Sequence, residues 1–258
     1  MFQGYFSKVK EFKFSLREQK EIFISAIVFG FILSIRKWGP GQEVDILVGF
    51  SNWLFASIAI GLIMFISVSL QKMSALNDGY NLYYHWWSQG ILIGFLISFV
   101  SFGLIPILYP GVTIFEHRPG SRLGRFRYGT TTKDMAMSGL SGIVANILVA
   151  AFAGLLFLAT NSYWVLFFIK ISLIYAFFSI LPLPKASGIK FGEGATPGFH
   201  LFFFSRNLYI FIFFTTIAYI ALLLSSILIF GSILALIISI VLGLLGLLLF
   251  SKFIEKSF

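Results

Sequence analysis

The chain contains no cysteine, which excludes disulfides and thiolate metal sites and leaves the redox compartment open. Charge is scarce as well. Asp, Glu, Lys and Arg make up 11% of the 258 residues against 58% hydrophobic, and the mean hydropathy is +0.93. That leaves too little polar surface for a soluble globule and fits a multi-span membrane protein. Histidine is rarer still: His85, His117 and His200 are the whole supply, and no two stand four apart. A metal held by these with Asp78, Glu116 or Glu193 needs three loops to converge, whereas lone loop histidines are ordinarily solvated or capping. Paired carboxylates within the apolar runs are absent, which removes the usual mark of an ion pump. The first 20 residues are basic and mixed rather than a short apolar core ending in small residues, so no cleavable signal peptide is expected.

What is abundant is apolar sequence broken by short basic loops. The net charge is +9, but the basic residues sit between hydrophobic runs, where orientation in a bilayer explains them better than nucleic acid. The pattern predicts an all-α polytopic protein of about six transmembrane helices with one re-entrant or interfacial segment. Residues 1–21 alternate Phe2, Phe6, Phe12 and Phe14 with Lys8, Lys10, Lys13 and Arg17, a composition for an amphipathic segment at the lipid interface. One membrane domain, 22–258, follows, with spans near 22–36, 47–70, 136–159, 163–181, 208–229 and 233–250. Tyr80, Tyr83, Tyr84, Trp86 and Trp87 form an aromatic belt at a membrane boundary.

The run 90–109 is long enough to cross, yet charge counting makes it re-entrant. With it excluded from the crossings, all but Arg36, Lys37 and Lys170 of the 19 basic residues fall on one side. That side is read as cytoplasmic, with both termini on it, in a multi-pass protein of the cell membrane. Non-helical backbone at membrane depth must be covered, so Pro106, Pro110 and Gly111 are expected to pack against other spans. The basic loop 118–133 carries Arg122, Arg125 and Arg127 and reads as an anionic-lipid contact rather than a nucleic-acid site. Lys170 stands at mid-depth of its span. An intramembrane charge is a functional candidate, and snorkelling or pairing with a carbonyl is the alternative.

Three polar patches interrupt the apolar runs. Ser67 and Gln71 stand four apart, on one helical face at the edge of the second span, followed by Lys72, Ala75 and Gly79. Gly139-Leu140-Ser141-Gly142-Ile143-Val144-Ala145-Asn146 opens the third span with small residues that let helices approach closely. Ser179, Pro182, Pro184, Lys185, Ser187 and Gly188 close the fourth.

Together, over roughly residues 14 to 210, these patches resemble the site-2-protease-type intramembrane zinc metalloproteases. The first patch is similar to their H-E-x-x-H-K-x-x-A…G helix, with Lys72, Ala75 and Gly79 in register. The second is similar to A-G-P-x-x-N, with Gly142 and Asn146 matched and Ile143 where proline is usual. The third is similar to F-N-x-L-P-x-P-P-x-D-G, keeping Pro182, Pro184 and Gly188. Tyr109-Pro110-Gly111-Val112 is similar to a stretch of archaeal relatives. The resemblance implies a groove that receives a client's transmembrane helix.

It also implies that Ser67, Gln71 and Ser187 occupy the zinc-ligand positions, and Val68 that of the catalytic glutamate. A hydrolytic zinc needs three protein ligands and an activated water. Neutral hydroxyls and an amide are poor ligands, and Val68 has no proton to exchange. Zinc is therefore not expected, and a cluster of Ser67, Gln71, Asn146, Ser179 and Ser187 satisfying one another is, unless the serines bond their own helix carbonyls. The favoured reading is a catalytically inactive member of the family that binds clients' transmembrane segments. Alternatives are an active metalloendopeptidase with an atypical zinc site, and a small-solute transporter or channel using Lys170.

Overall fold

The computed structural model describes residues 12–39, 44–117, 131–183, 194–224 and 231–253. Helix α1 (Leu16–Ser34) runs into a 3-10 turn (Ile35–Lys37) and is followed by α2 (Ile46–Asn77), β1 (Tyr80–His85), α3 (Ser88–Val100) and β2 (Val112–His117). Then come α4 (Thr132–Thr160), α5 (Tyr163–Ile180), α6 (Pro197–Phe204), α7 (Arg206–Leu224) and α8 (Ser232–Phe253). Five of them, α2, α4, α5, α7 and α8, are long and apolar enough to cross a membrane, as in a multi-pass helical membrane protein.

Helix α1 differs in having Arg17, Glu18, Lys20 and Glu21 in its first turns. Ser15 and Glu18 form a capping box, the Ser15 hydroxyl accepting from Glu18 N at 3.2 Å and the Glu18 carboxylate from Ser15 N at 2.8 Å. The helix expected over 22–36 therefore starts at Leu16, and the interfacial segment expected over 1–21 gives way there; residues 1–11 lie outside the described residues. The spans expected at 47–70 and 136–159 are longer, Ile46–Asn77 and Thr132–Thr160. Asp45 caps the first through Leu47 N and Val48 N, and Thr131 caps the second through Asp134 N.

The chain is mostly helical, as expected for an all-α membrane protein, and adds one two-stranded antiparallel sheet that runs from Tyr80 opposite His117 to His85 opposite Val112. Tyr80, Leu82 and Tyr84 are buried along β1. Tyrosines at period two suit a half-buried strand as well as they suit an interface, and here they form a strand.

Because His85 pairs with Val112, the segment between them leaves and returns at one place. It goes out as α3, turns at Phe102–Gly103, and comes back extended through Pro106. At 13 residues, α3 is about 20 Å long, short of the roughly 30 Å hydrocarbon layer. The tip reaches the far end of α1, where a Cβ on Gly103 would lie 2.8 Å from Arg36 Cγ. The path is thus out and back, with both of its ends at the sheet.

Among the described residues its returning arm has no strand partner, and side chains serve its backbone. Ser98 Oγ donates to Ile105 O and accepts from Ile107 N, both at 3.1 Å. Ser101 Oγ accepts from Ile105 N at 3.3 Å, and Pro106 has no N–H to satisfy. At Gly111, φ is +77°, and the glycine lies against the Tyr84 ring, which a Cβ would meet at 2.6 Å.

Helix α4 is the hub of the remaining bundle. A Cβ on Gly139 would lie 3.0 Å from the Pro197 backbone ahead of the rest of α6, while Gly142 faces Gln71 of α2 and Gly154 faces Ser232 of α8. Ala145, Ala150, Ala151 and Ala153 are buried beside them. Small side chains let three neighbours approach one helix closely, which is how apolar helices pack where lipid competes for the same contacts.

The hairpin's closest approach is testable. A Cβ on Gly94 would come within 2.6 Å of Ile107 O, whereas one on Gly61 would meet Ala26 Cβ at an ordinary 3.4 Å. Gly94→Ala is expected to cost about 1–3 kcal/mol, and Gly61→Ala to be neutral, read as thermal unfolding of the purified protein in detergent.

Candidate functional site

Residues from the first two patches meet where α2 crosses α4. Ser67 Oγ donates to Gly142 O at 3.2 Å and accepts from Gln71 Nε2 at 3.3 Å and Asn146 Nδ2 at 3.4 Å. Ser138 Oγ donates to Gln71 O at 2.8 Å, and Ser172 Oγ on α5 donates to Asn146 O at 2.9 Å. All five side chains are buried. Gly142 is required in this arrangement, since a Cβ there would overlap the Gln71 amide. Val68, one residue along, is buried in the apolar cluster with Ile171 and Tyr175.

Ser179 does not join them. Its hydroxyl donates to Tyr175 O of its own helix at 2.8 Å, the cheapest partner for a serine in a helix interior. Pro182 lies beyond the end of α5, and Gly79, at φ +88°, terminates α2. Pro184, Ser187 and Gly188, and Arg122, Arg125 and Arg127, expected to contact anionic lipid, lie outside the described residues.

These side chains do not suit zinc. Ser67 spends its hydroxyl hydrogen on a carbonyl and its oxygen on two amides, and the buried oxygens left over, Gln71 Oε1 and Asn146 Oδ1, are neutral. A hydrolytic zinc is held by anionic or imidazole ligands. Among the described residues no three His, Cys, Asp or Glu side chains come together in a way that could hold a metal ion.

Lys72 leads to a second constellation, which the sequence reading missed. Its Nζ lies 2.8 Å from both oxygens of Glu18, donates to Lys13 O at 2.9 Å, and stands 4.3 Å from the centre of the Phe14 ring. Glu18 also accepts from Tyr84 N at 2.9 Å. One turn on, Glu21 accepts from Arg17 Nε at 2.8 Å and Trp86 N at 3.1 Å, with His85 Nδ1 at 3.0 Å. The two carboxylates thus take up alternate N–H groups on the outer edge of β1, while β2 serves its other edge. The Ser-x-x-Glu box at Ser15–Glu18 was the available signal, but it announces a helix start and says nothing of Lys72 or β1.

The three histidines separate. His85 pairs with Glu21, and the His117 ring lies 5.1 Å from the Tyr80 ring. His200, expected in a loop, is buried on α6 with its ring edge-on to Phe115 at 5.7 Å. Lys170 is exposed, seven residues into α5.

Two outcomes test these placements. Removing one member of the buried Glu18–Lys72 pair, by Glu18→Gln or Lys72→Met, is expected to cost about 3–5 kcal/mol, and the double variant to recover part of the loss; unfolding in detergent gives the cycle. Burial pushes the His200 imidazole down to about 4, so it stays neutral in the fold where the unfolded chain, titrating near 6.5, takes a proton. Its contribution is complete above about pH 6.5 and declines by about 3 kcal/mol as the pH falls through 4. His200→Phe is expected to flatten that stretch of the stability profile.

No protein-family model, curated protein or solved structure matches this chain.

Proposed function

We propose that this protein is a catalytically inactive, site-2-protease-like membrane protein that binds the transmembrane helix of a client. One observation carries the binding role. Between α1 and α2 lies an almost wholly apolar groove of about 640 Å³, lined by Phe23, Ala26 and Ile27 on one side and Trp53, Ile58 and Gly61 on the other. Ala26 and Gly61 keep its floor low, and Phe23 and Ile58 stand exposed at its sides. Small residues flanked by large apolar ones are the surface on which helices associate in lipid. The inactive state is supported by Ser67, Val68 and Gln71, which offer hydrogen bonds and packing where hydrolysis needs a metal and a base. The excess of basic residues around the amino-terminal end of α1 favours an orientation with both termini in the cytoplasm, which takes α1 as a sixth crossing beside the five long apolar helices. Zinc has no role in this reading, and the partners are lipid and client helices, without nucleic acid.

A photocrosslinking residue at Ile58 in native membranes is expected to give discrete adducts that map to another protein's transmembrane segment. Gly61→Phe, which fills the groove, is expected to abolish them. Adducts that survive Gly61→Phe would defeat the binding role, and one zinc per chain in metal analysis of the purified protein would defeat the inactive one.

A further inference from the structure

At the end of the bundle remote from Glu18, Lys37 packs on the face of α5 that also carries Lys170, and among the described residues neither lysine has an acidic partner. Lys37, in the turn after α1, donates from Nζ to Tyr163 OH at 2.8 Å and stands 3.2 Å from the centre of the Phe167 ring. Tyr163, Phe167 and Lys170 lie at spacings of four and three on α5, so they share one helical face. Burial, and then repulsion from Lys170, lowers the Lys37 ammonium to about 8.

Nothing described supplies the missing negative charge. Among the described residues the ion pairs join Arg17 and His85 to Glu21 and Lys72 to Glu18, all near the amino-terminal turns of α1. Asp45 is occupied in capping α2, accepting from Leu47 N and Val48 N. Two ammonium groups held together beside low-dielectric surroundings repel strongly, and an anion placed between them relieves that cost.

The surroundings indicate which anion. Tyr163 is 52% exposed and Trp164 40% exposed, so the site is open at the surface. Aromatic rings with lysines at a helix end are the composition of a headgroup layer. Lys170 begins about 10 Å inside the start of α5, and its stem can carry the ammonium back toward Tyr163. The Tyr163 hydroxyl accepts from Lys37 and keeps its own hydrogen, a donor for an anionic oxygen.

We propose that Lys37, Lys170 and the Tyr163 hydroxyl form a binding site for the phosphate of an anionic phospholipid in the leaflet on that side. Aromatic rings at Trp164 and Phe167 flank the site, and the acyl chains lie along the exposed face of α5. This site is separate from the α1–α2 groove and independent of whether a client binds there.

The test is native mass spectrometry of the full chain in detergent, with phosphatidylglycerol, phosphatidylcholine or inorganic phosphate supplied at equal concentration. Wild type is expected to retain phosphatidylglycerol over phosphatidylcholine. In the doubly substituted Lys37→Gln/Lys170→Gln protein that preference is expected to fall about tenfold or more. Lys37→Arg/Lys170→Arg, which keeps both charges, is expected to retain it and shows that substitution at these positions does not unfold the chain. Lys252→Gln, at the far end of α8, and Glu43→Gln, which removes the other acid of the α1–α2 connection, are expected to leave it intact. A wild type without the preference, or a Gln pair that keeps it, would overturn the site. Displacement of phosphatidylglycerol by inorganic phosphate alone would overturn its assignment to lipid.

Discussion

Glu18 is the side chain on which three elements depend. Its two oxygens accept from Ser15 N at the start of α1, from Lys72 Nζ on α2 and from Tyr84 N on β1. A buried carboxylate is tolerable only when its lone pairs are used, and here every donor belongs to a different piece of the chain. The same atoms therefore fix where α1 begins, how α2 is rotated about its axis and where the sheet docks. Glu21 repeats the arrangement one turn later with Trp86 N. Once β1 is placed, β2 follows by pairing, and the excursion of α3 between them has both ends set.

The wider constraint is that apolar surroundings supply no hydrogen bonds. The fold meets it economically, because a helical carbonyl already bonded within its helix has a second lone pair. Ser67 donates to Gly142 O, Ser138 to Gln71 O, Ser172 to Asn146 O and Ser232 to Ala151 O. Each hydroxyl is satisfied without breaking a helical bond, and each contact joins α4 to a neighbour. Such bonds are individually weak, about 0.6 kcal/mol on average between membrane helices. Their effect is to fix register in a bundle whose apolar faces would slide at little cost.

The bundle's two ends are chemically unlike. At the Glu18 end every buried charge has an opposite partner, and the network is closed to ligands because its lone pairs are taken. At the Lys37 end two lysines without an acidic partner among the described residues stand beside exposed aromatic rings. Between the two ends the α1–α2 groove is almost purely apolar. The distribution separates hydrogen-bonded charge, apolar surface and unpaired positive charge along the length of the bundle.

The existence of the long helices was legible in the sequence, since a run of apolar residues in lipid can only be helix or closed barrel. Val68 and the Ser67–Gln71 spacing were legible too, because helical period fixes which side chains share a face. The sheet was not, as Tyr80–His85 reads equally well as a boundary belt. Nor were the meeting of Glu18 with Lys72, 54 residues apart, and that of Lys37 with Tyr163, 126 apart. Sequence determines local period and solvent preference, which act over a few residues. Which buried charge finds which donor is settled only when helices pack, because the energy of an ion pair depends on distance and dielectric, and neither exists before the tertiary structure does.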